Sequence, residues 1–243
     1  MKVFVCKDDF ENILSGIYDA WEWKLKGEDV QLQILGAYNY EFFCEYIEVA
    51  TDWDKAEKVI RSVKKKIGND AYECLFKTYL NCSADKADVM YRFLISAFKY
   101  GRKTMECLYD EAIMKAFSYA RAVGNESHLY TGFTRFQERK DHILLAKFKP
   151  KHNVISIIAP HFADRLPMEN WIIFDEERKL AAIHGKNSEW YLYHAENDTW
   201  LNQLESDVEE DGYEDLWQVF FETIAIKERT KPAANAAEAL SYL

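Results

Sequence analysis

The sequence predicts an α+β fold, and three observations carry that expectation. Apolar residues recur at helical spacing for about seventy residues from Thr51 onward, short strand-like runs stand before and after that block, and 49% hydrophobic residues in a 243-residue chain suffice for a buried core. The expected order is an N-terminal strand-helix-strand unit and a helical layer of about four helices, followed by an antiparallel sheet with an inserted helix and a C-terminal helix. Residues 1–125 form the mainly helical part, residues 126–229 the sheet part, and residues 230–243 a tail. No proline-rich or glycine-rich linker intervenes, so one continuous globular unit is expected.

Residues 2–6 alternate as a strand. Asp8 and Glu11 then stand three apart, as a helix N-cap and its reciprocal partner do, ahead of an apolar stripe of Phe10, Ile13, Leu14, Ile17, Tyr18 and Trp21. Gly27 ends this helix, and VQLQIL at 30–35 returns as a second strand. Stops at Gly68-Asn69, residues 81–83 and Gly101 divide the long helical block. Within it, Tyr91, Leu94, Ile95 and Phe98 form one apolar face, and Leu108, Ile113, Met114 and Phe117 form another.

After Gly124-Asn125 the period shortens toward two. This predicts a hairpin of residues 129–137 and 142–149 around a polar turn at 138–141. Val154, Ile157, Ile158, Phe162 and Leu166 then fall along one side of a helix over 154–166. Strands at 171–174, 180–184 and 190–194 complete an antiparallel meander. Residues 198–215 carry eight acidic side chains and no basic one, a solvated loop leading into a closing helix over 214–228.

A formal net charge of -10 argues against indiscriminate binding of polyanions, so any nucleic-acid site has to be a local basic patch. No run approaches the roughly 20 apolar residues of a membrane span, and MKVFVC is too short for a signal-peptide core; a cytoplasmic protein with no membrane partner is expected. The five cysteines are odd in number and scattered, which suits free buried thiols better than disulfides. With no CxxC pair, no HExxH among the six histidines, and neither GxxxxGK[ST] nor GxGxxG, no metal and no cofactor is expected.

The chemistry concentrates between His128 and Arg165, where seven basic residues face only Glu138, Asp141 and Asp164. On a predicted strand, Phe133 and Arg135 share one face, an arrangement suited to base stacking and phosphate contact. His161 and Arg165 stand four apart on the predicted helix and face one side. The candidate nucleic-acid-binding set is His128, Phe133, Arg135, Lys147, His161 and Arg165; the plainer alternative is a solvated hairpin edge guarded by lysines. His128 is also a candidate proton carrier, although no Ser, Cys or carboxylate is evidently beside it, and no catalytic residue is assigned. The run RSVKKK at 61–66 reads as the wet face of an amphipathic helix.

Several short patterns, in order, carry a family resemblance. They are Val49, Thr51-Asp52, Lys55-Ala56 and Val59, then Glu126, His128, Gly132-Phe133, Arg135-Phe136, His161-Phe162, Arg165, Trp171, Ile173 and Asp175, and finally Trp217, Ile224, Ile226, Glu228-Arg229 and Pro232. With these the chain resembles domain-of-unknown-function family 4130, whose members are described as candidate DNA repair or DNA metabolism proteins encoded beside a radical SAM protein. The ending AANAAEALSYL departs from the basic and aromatic ending of relatives.

The resemblance implies a DNA-metabolism accessory protein that binds DNA while a radical SAM partner performs the chemistry, and so a non-catalytic role. A rival expectation is a protein-protein adaptor holding that partner through its acidic loop, with no nucleic-acid contact. A third is an unrecognised hydrolase or glycosylase using His128 or His161.

Overall fold

The computed structural model describes residues 1–27, 29–37, 42–139 and 142–194. It is α+β, and the chain divides into two compact units, Met1–Asn125 and Glu126–Leu243. The acidic loop, the closing helix and the tail expected from the sequence lie outside the described residues.

The first unit is built on a three-stranded parallel sheet of order β2-β1-β3, formed by β1 (Lys2–Cys6), β2 (Val30–Ile34) and β3 (Glu45–Glu48). A parallel strand needs a crossover, and α1 (Phe10–Leu25) supplies it between β1 and β2. Its N-cap is Asp9, which accepts from the Asn12 amide; the expectation of Asp8 is corrected by one residue, and Asp8 instead pairs with Lys86. Asn12 is buried at this junction. Its Oδ1 accepts from the Lys7 amide, and its Nδ2 donates to the Val49 carbonyl and to Thr51 Oγ1.

Helix and sheet meet closely at Gly16, where any Cβ would stand 2.6 Å from Cys6 Sγ. Burial pushes the Cys6 thiol up to about 12. The expectation of buried thiols holds for Cys6, Cys74 and Cys107, all free, whereas Cys82 is exposed and Cys44 half-buried.

The strand β3 went unforeseen, because four residues with exposed ends carry little pattern. The helical block follows the expected stops: α2 (Trp53–Lys66), α3 (Asn69–Leu80) and α4 (Lys86–Tyr100), then a 3₁₀ turn at Gly101–Glu106. Asp52 caps α2 by accepting from the Lys55 amide.

The main correction concerns α5 (Glu111–Phe133), which runs through Gly124-Asn125 and replaces most of the expected first hairpin strand. Its buried stripe is Ile113, Ala116, Ala120, Val123 and Ser127, spaced three, four, three and four apart, which only a helix can bury on one side. The apparent two-residue alternation in HLYTGFTRF is coincidental. Gly124 and Gly132 each cost about 1 kcal/mol of helix propensity, and packing along that stripe overrides it. Met114 and Leu108, expected in an apolar face, are exposed.

The second unit holds a five-stranded sheet of order β4-β5-β6-β7-β8: β4 (Gln137–Glu138), β5 (Ile143–Phe148), β6 (Asn170–Asp175), β7 (Leu180–His184) and β8 (Trp190–His194). Its pairings are antiparallel except β5 with β6, which are parallel because α6 (Ile155–Arg165) carries the chain back between them. One sheet face gathers Ile143, Leu145, Ile172, Phe174, Ala181 and Ile183, with Tyr191 and Tyr193 against them. The other face carries Phe148 and Trp171, and Trp171 stacks on its register partner His184 at 4.9 Å. The helix α6 packs on this second face, with Ile155, Ile158, Ala159 and Phe162 turned inward.

Candidate nucleic-acid interface

The six residues singled out from the sequence occupy four settings, all within the second unit. His128 and Phe133 are exposed on the last turns of α5, not on a strand, and Phe133 is 68% exposed. Arg135 lies in the three-residue connector between α5 and β4. Phe133 and Arg135 therefore do not share a strand face, and the expected stacking platform in that form is corrected.

The connector is pinned by its neighbour. The Phe136 ring meets the edge of Phe162 on α6 at 5.1 Å, and the His161 ring stands at 5.1 Å from the same Phe162. Arg135 is thus one residue from this aromatic contact and His161 one residue from it on the opposite side. Arg165 follows a turn later. Both α6 residues are exposed, as is Asp164 beside them.

The structure therefore brings Arg135, His161 and Arg165 to one margin of the unit. Among the described residues, none of the three takes part in an ion pair. Lys147 is elsewhere: it alternates with Ile143 and Leu145 along β5, so it projects from the sheet face opposite α6. His128 sits one turn before Gly132, and its carbonyl accepts from Thr131 Oγ1. No Ser, Cys or carboxylate among the described residues bonds its ring. No cluster of three or more His, Cys, Asp or Glu side chains suited to a metal occurs among the described residues either.

Near the start of α6, away from these residues, lies a polar junction that sequence reasoning missed. It joins α5, the segment between β5 and α6, and the β6–β7 turn. Glu126 accepts from the amides of Lys151 and His152 at 2.8 Å each. Arg178 donates to the carbonyls of Pro150 and Lys151 and to Asp175 Oδ2. Asp175 is fully buried, and its Oδ1 accepts from the amides of Glu177 and Arg178. The carboxylate thus meets both a guanidinium and two N–H donors, the condition under which a buried charge is tolerable. His152 is buried there, and burial holds its imidazole below the ordinary histidine value.

A signal for part of this junction was present in the sequence. The run DEER at 175–178 reads as a turn, and an Asp opening a turn commonly accepts from amides two and three residues on. Apart from the Arg178–Asp175 pair within that turn, the remaining bonds join residues more than twenty apart and leave no local trace.

The model of a family described as a domain of unknown function, DUF4130, matches residues 84–239. The chain belongs to this family. No curated protein matches the chain. The DUF4130 match takes in α4, α5 and the whole described part of the second unit, whereas Val49 to Val59, which also carried the resemblance, lie before it. Within the matched span the family-pattern residues separate into two kinds. Glu126, Trp171, Ile173 and Asp175 are buried or bonded into the fold; Arg135, His161 and Arg165 are exposed and, among the described residues, their side chains are in no hydrogen bond or ion pair, although the His161 ring meets Phe162. No helix of the described residues is long and apolar enough to cross a membrane.

Proposed function

We propose that this DUF4130 protein is a DNA-metabolism accessory factor that binds nucleic acid along the margin formed by the α5–β4 connector and α6, beside a radical SAM partner that performs the chemistry. Arg135 and Arg165 contact phosphate, with His161 as a further donor and Phe133 as an exposed ring for stacking. The observation that carries the reading is that these polar residues belong to the family pattern yet, among the described residues, their side chains take part in no ion pair or hydrogen bond of the fold. Exposed polar residues of that kind are better explained by a ligand than by packing. Lys147 projects from the other sheet face and is left out of this margin. The radical SAM partner rests on the family resemblance alone.

Titration of labelled single- and double-stranded oligonucleotides at two salt concentrations tests the reading. Binding should weaken as salt rises, and Arg135→Ala with Arg165→Ala should weaken it further while reducing the logarithmic salt slope by roughly 1.4 for a single strand. Salt-insensitive binding, or an unchanged slope in the double variant, overturns the proposal. The partner is tested by co-purification with a co-expressed radical SAM protein.

A further inference from the structure

A second cationic site stands out in the first unit, at the corner where α2 ends and the 3₁₀ turn begins. The segments RSVKKK at 61–66 and KYGRK at 99–103 together carry seven positive charges and no carboxylate. They are neighbours in space: a Cβ on Gly101 would lie 3.9 Å from the Lys66 carbonyl oxygen, and Lys66 Nζ stands 5.7 Å from the Phe98 ring. The turn is held in place, since buried Thr104 donates to the carbonyls of Ala97 and Gly101.

Some of these cations have structural employment. Arg61 pairs with Glu57, Lys64 lies over Tyr72 and Lys99 over Tyr100. Neutralising the carboxyl ends of α2 and α4 would account for about one further charge in total, at roughly half a charge per helix end. Lys65, Arg102 and Lys103 remain, together with Lys66, whose approach to Phe98 is longer than the ring contacts of Lys64 and Lys99; all four are exposed and, among the described residues, in no ion pair. Asp70 and Glu106 are near them in sequence, and among the described residues neither forms an ion pair with them. On a chain of net charge -10, an uncompensated group of this size is out of keeping with the surface around it.

Aromatic rings adjoin the charges. Tyr109 is 76% exposed, and Tyr100 braces it edge-on at 5.9 Å. A cationic track beside a supported, exposed ring is the chemistry that holds a single-stranded nucleic acid, whose phosphates pair with the cations while an unpaired base stacks on the ring.

We propose that this corner is a second nucleic-acid contact, selective for single strands: Lys65, Lys66, Arg102 and Lys103 hold the backbone and Tyr109 stacks on a base. It shares with the preceding reading only the premise that the ligand is a nucleic acid, and it uses different residues. That difference makes the two separable.

The test uses the full chain, a labelled 20-nucleotide single strand, the matching duplex, and phosphatidylserine vesicles, with anisotropy or co-sedimentation as readout. Replacing the four cations by alanine should weaken single-strand binding at least tenfold near 0.1 M salt and cut the logarithmic salt slope by roughly three. Tyr109→Ala should cost at least about fivefold on the single strand and little on the duplex. Lys65→Arg, Lys66→Arg and Lys103→Arg together should restore binding, and unchanged thermal melting checks that the alanine variant folds.

If the four-cation variant binds as the parent does, this proposal fails, and loss in the Arg135, Arg165 variant would leave the earlier reading standing. If only the four-cation variant loses binding, the reverse holds. A chain that binds vesicles and no oligonucleotide overturns both, and a Tyr109 variant that weakens single strand and duplex equally overturns the single-strand selectivity.

Discussion

The polar junction near the start of α6 and the cationic margin near its end lie in the same unit and draw on the same family pattern, yet they treat charge in opposite ways. At the junction Glu126, Asp175 and Arg178 direct their hydrogen bonds into the fold, to four amides, to two carbonyls and, for Asp175 and Arg178, to each other. At the margin Arg135, His161 and Arg165 are exposed, and among the described residues no ion pair or side-chain hydrogen bond holds them. Membership of a family pattern therefore does not by itself mark a functional residue. What separates the two sets is whether the native structure consumes the side chain's hydrogen-bonding capacity.

The largest expected effect falls on the junction. Arg178→Ala strands the buried Asp175 carboxylate and releases two carbonyls, so urea unfolding should show a loss of about 3–5 kcal/mol, while binding measured on the folded fraction stays close to the parent value. A loss below 1 kcal/mol would remove the contrast drawn above.

Phe136→Ala should come next, at about 1–2 kcal/mol for a half-buried ring and its edge contact with Phe162. Here both regions should respond. The connector that carries Arg135 loses its anchor, and oligonucleotide affinity should fall even though no cation is removed. Unchanged affinity would mean that Arg135 needs no positioning.

Acid should find the junction before the margin. The His152 imidazole is held below its ordinary value by burial, so the unfolded chain takes up this proton at a pH where the folded chain does not. Its contribution is complete above the unfolded value near 6.5 and is lost as pH falls through the folded one. Stability followed from pH 8 to 5 should decline in the parent and decline less steeply in His152→Gln; parallel curves would refute the assignment.

The smallest effect on stability belongs to Arg135→Ala with Arg165→Ala, within about 0.5 kcal/mol of the parent. That same pair should show the largest change in binding. A double variant that unfolds easily would place these residues with the junction.

Legibility in the sequence followed the range of the interactions. The strands at Leu180–His184 and Trp190–His194 were readable to the residue, because a polar turn and then an apolar or aromatic run announce each one. Helix α6 was readable within a residue from the spacing of Ile158 and Phe162. The end of α5 was misread because its buried positions there are Val123 and Ser127, whereas its aromatic Phe133 is exposed; a rule that ranks residues by apolarity looks at the wrong ones.

The site was legible to the same degree. His161 and Arg165 share a helix face because four residues separate them. The exclusion of Lys147 was open to the same alternation rule once Ile143 and Leu145 were known to face inward. The contact of Phe136 with Phe162, twenty-six positions apart, had no sequence signature.

The tight seating of Gly16 on Cys6 has a chemical outcome. With the sulfur closed off from solvent and pressed against the helix, the thiol meets no oxidant or alkylating reagent while α1 rests on β1. Labelling of Cys6 by an alkylating reagent should therefore proceed only as fast as that helix lifts, which turns a silent cysteine into an internal clock for the opening of the amino-terminal unit.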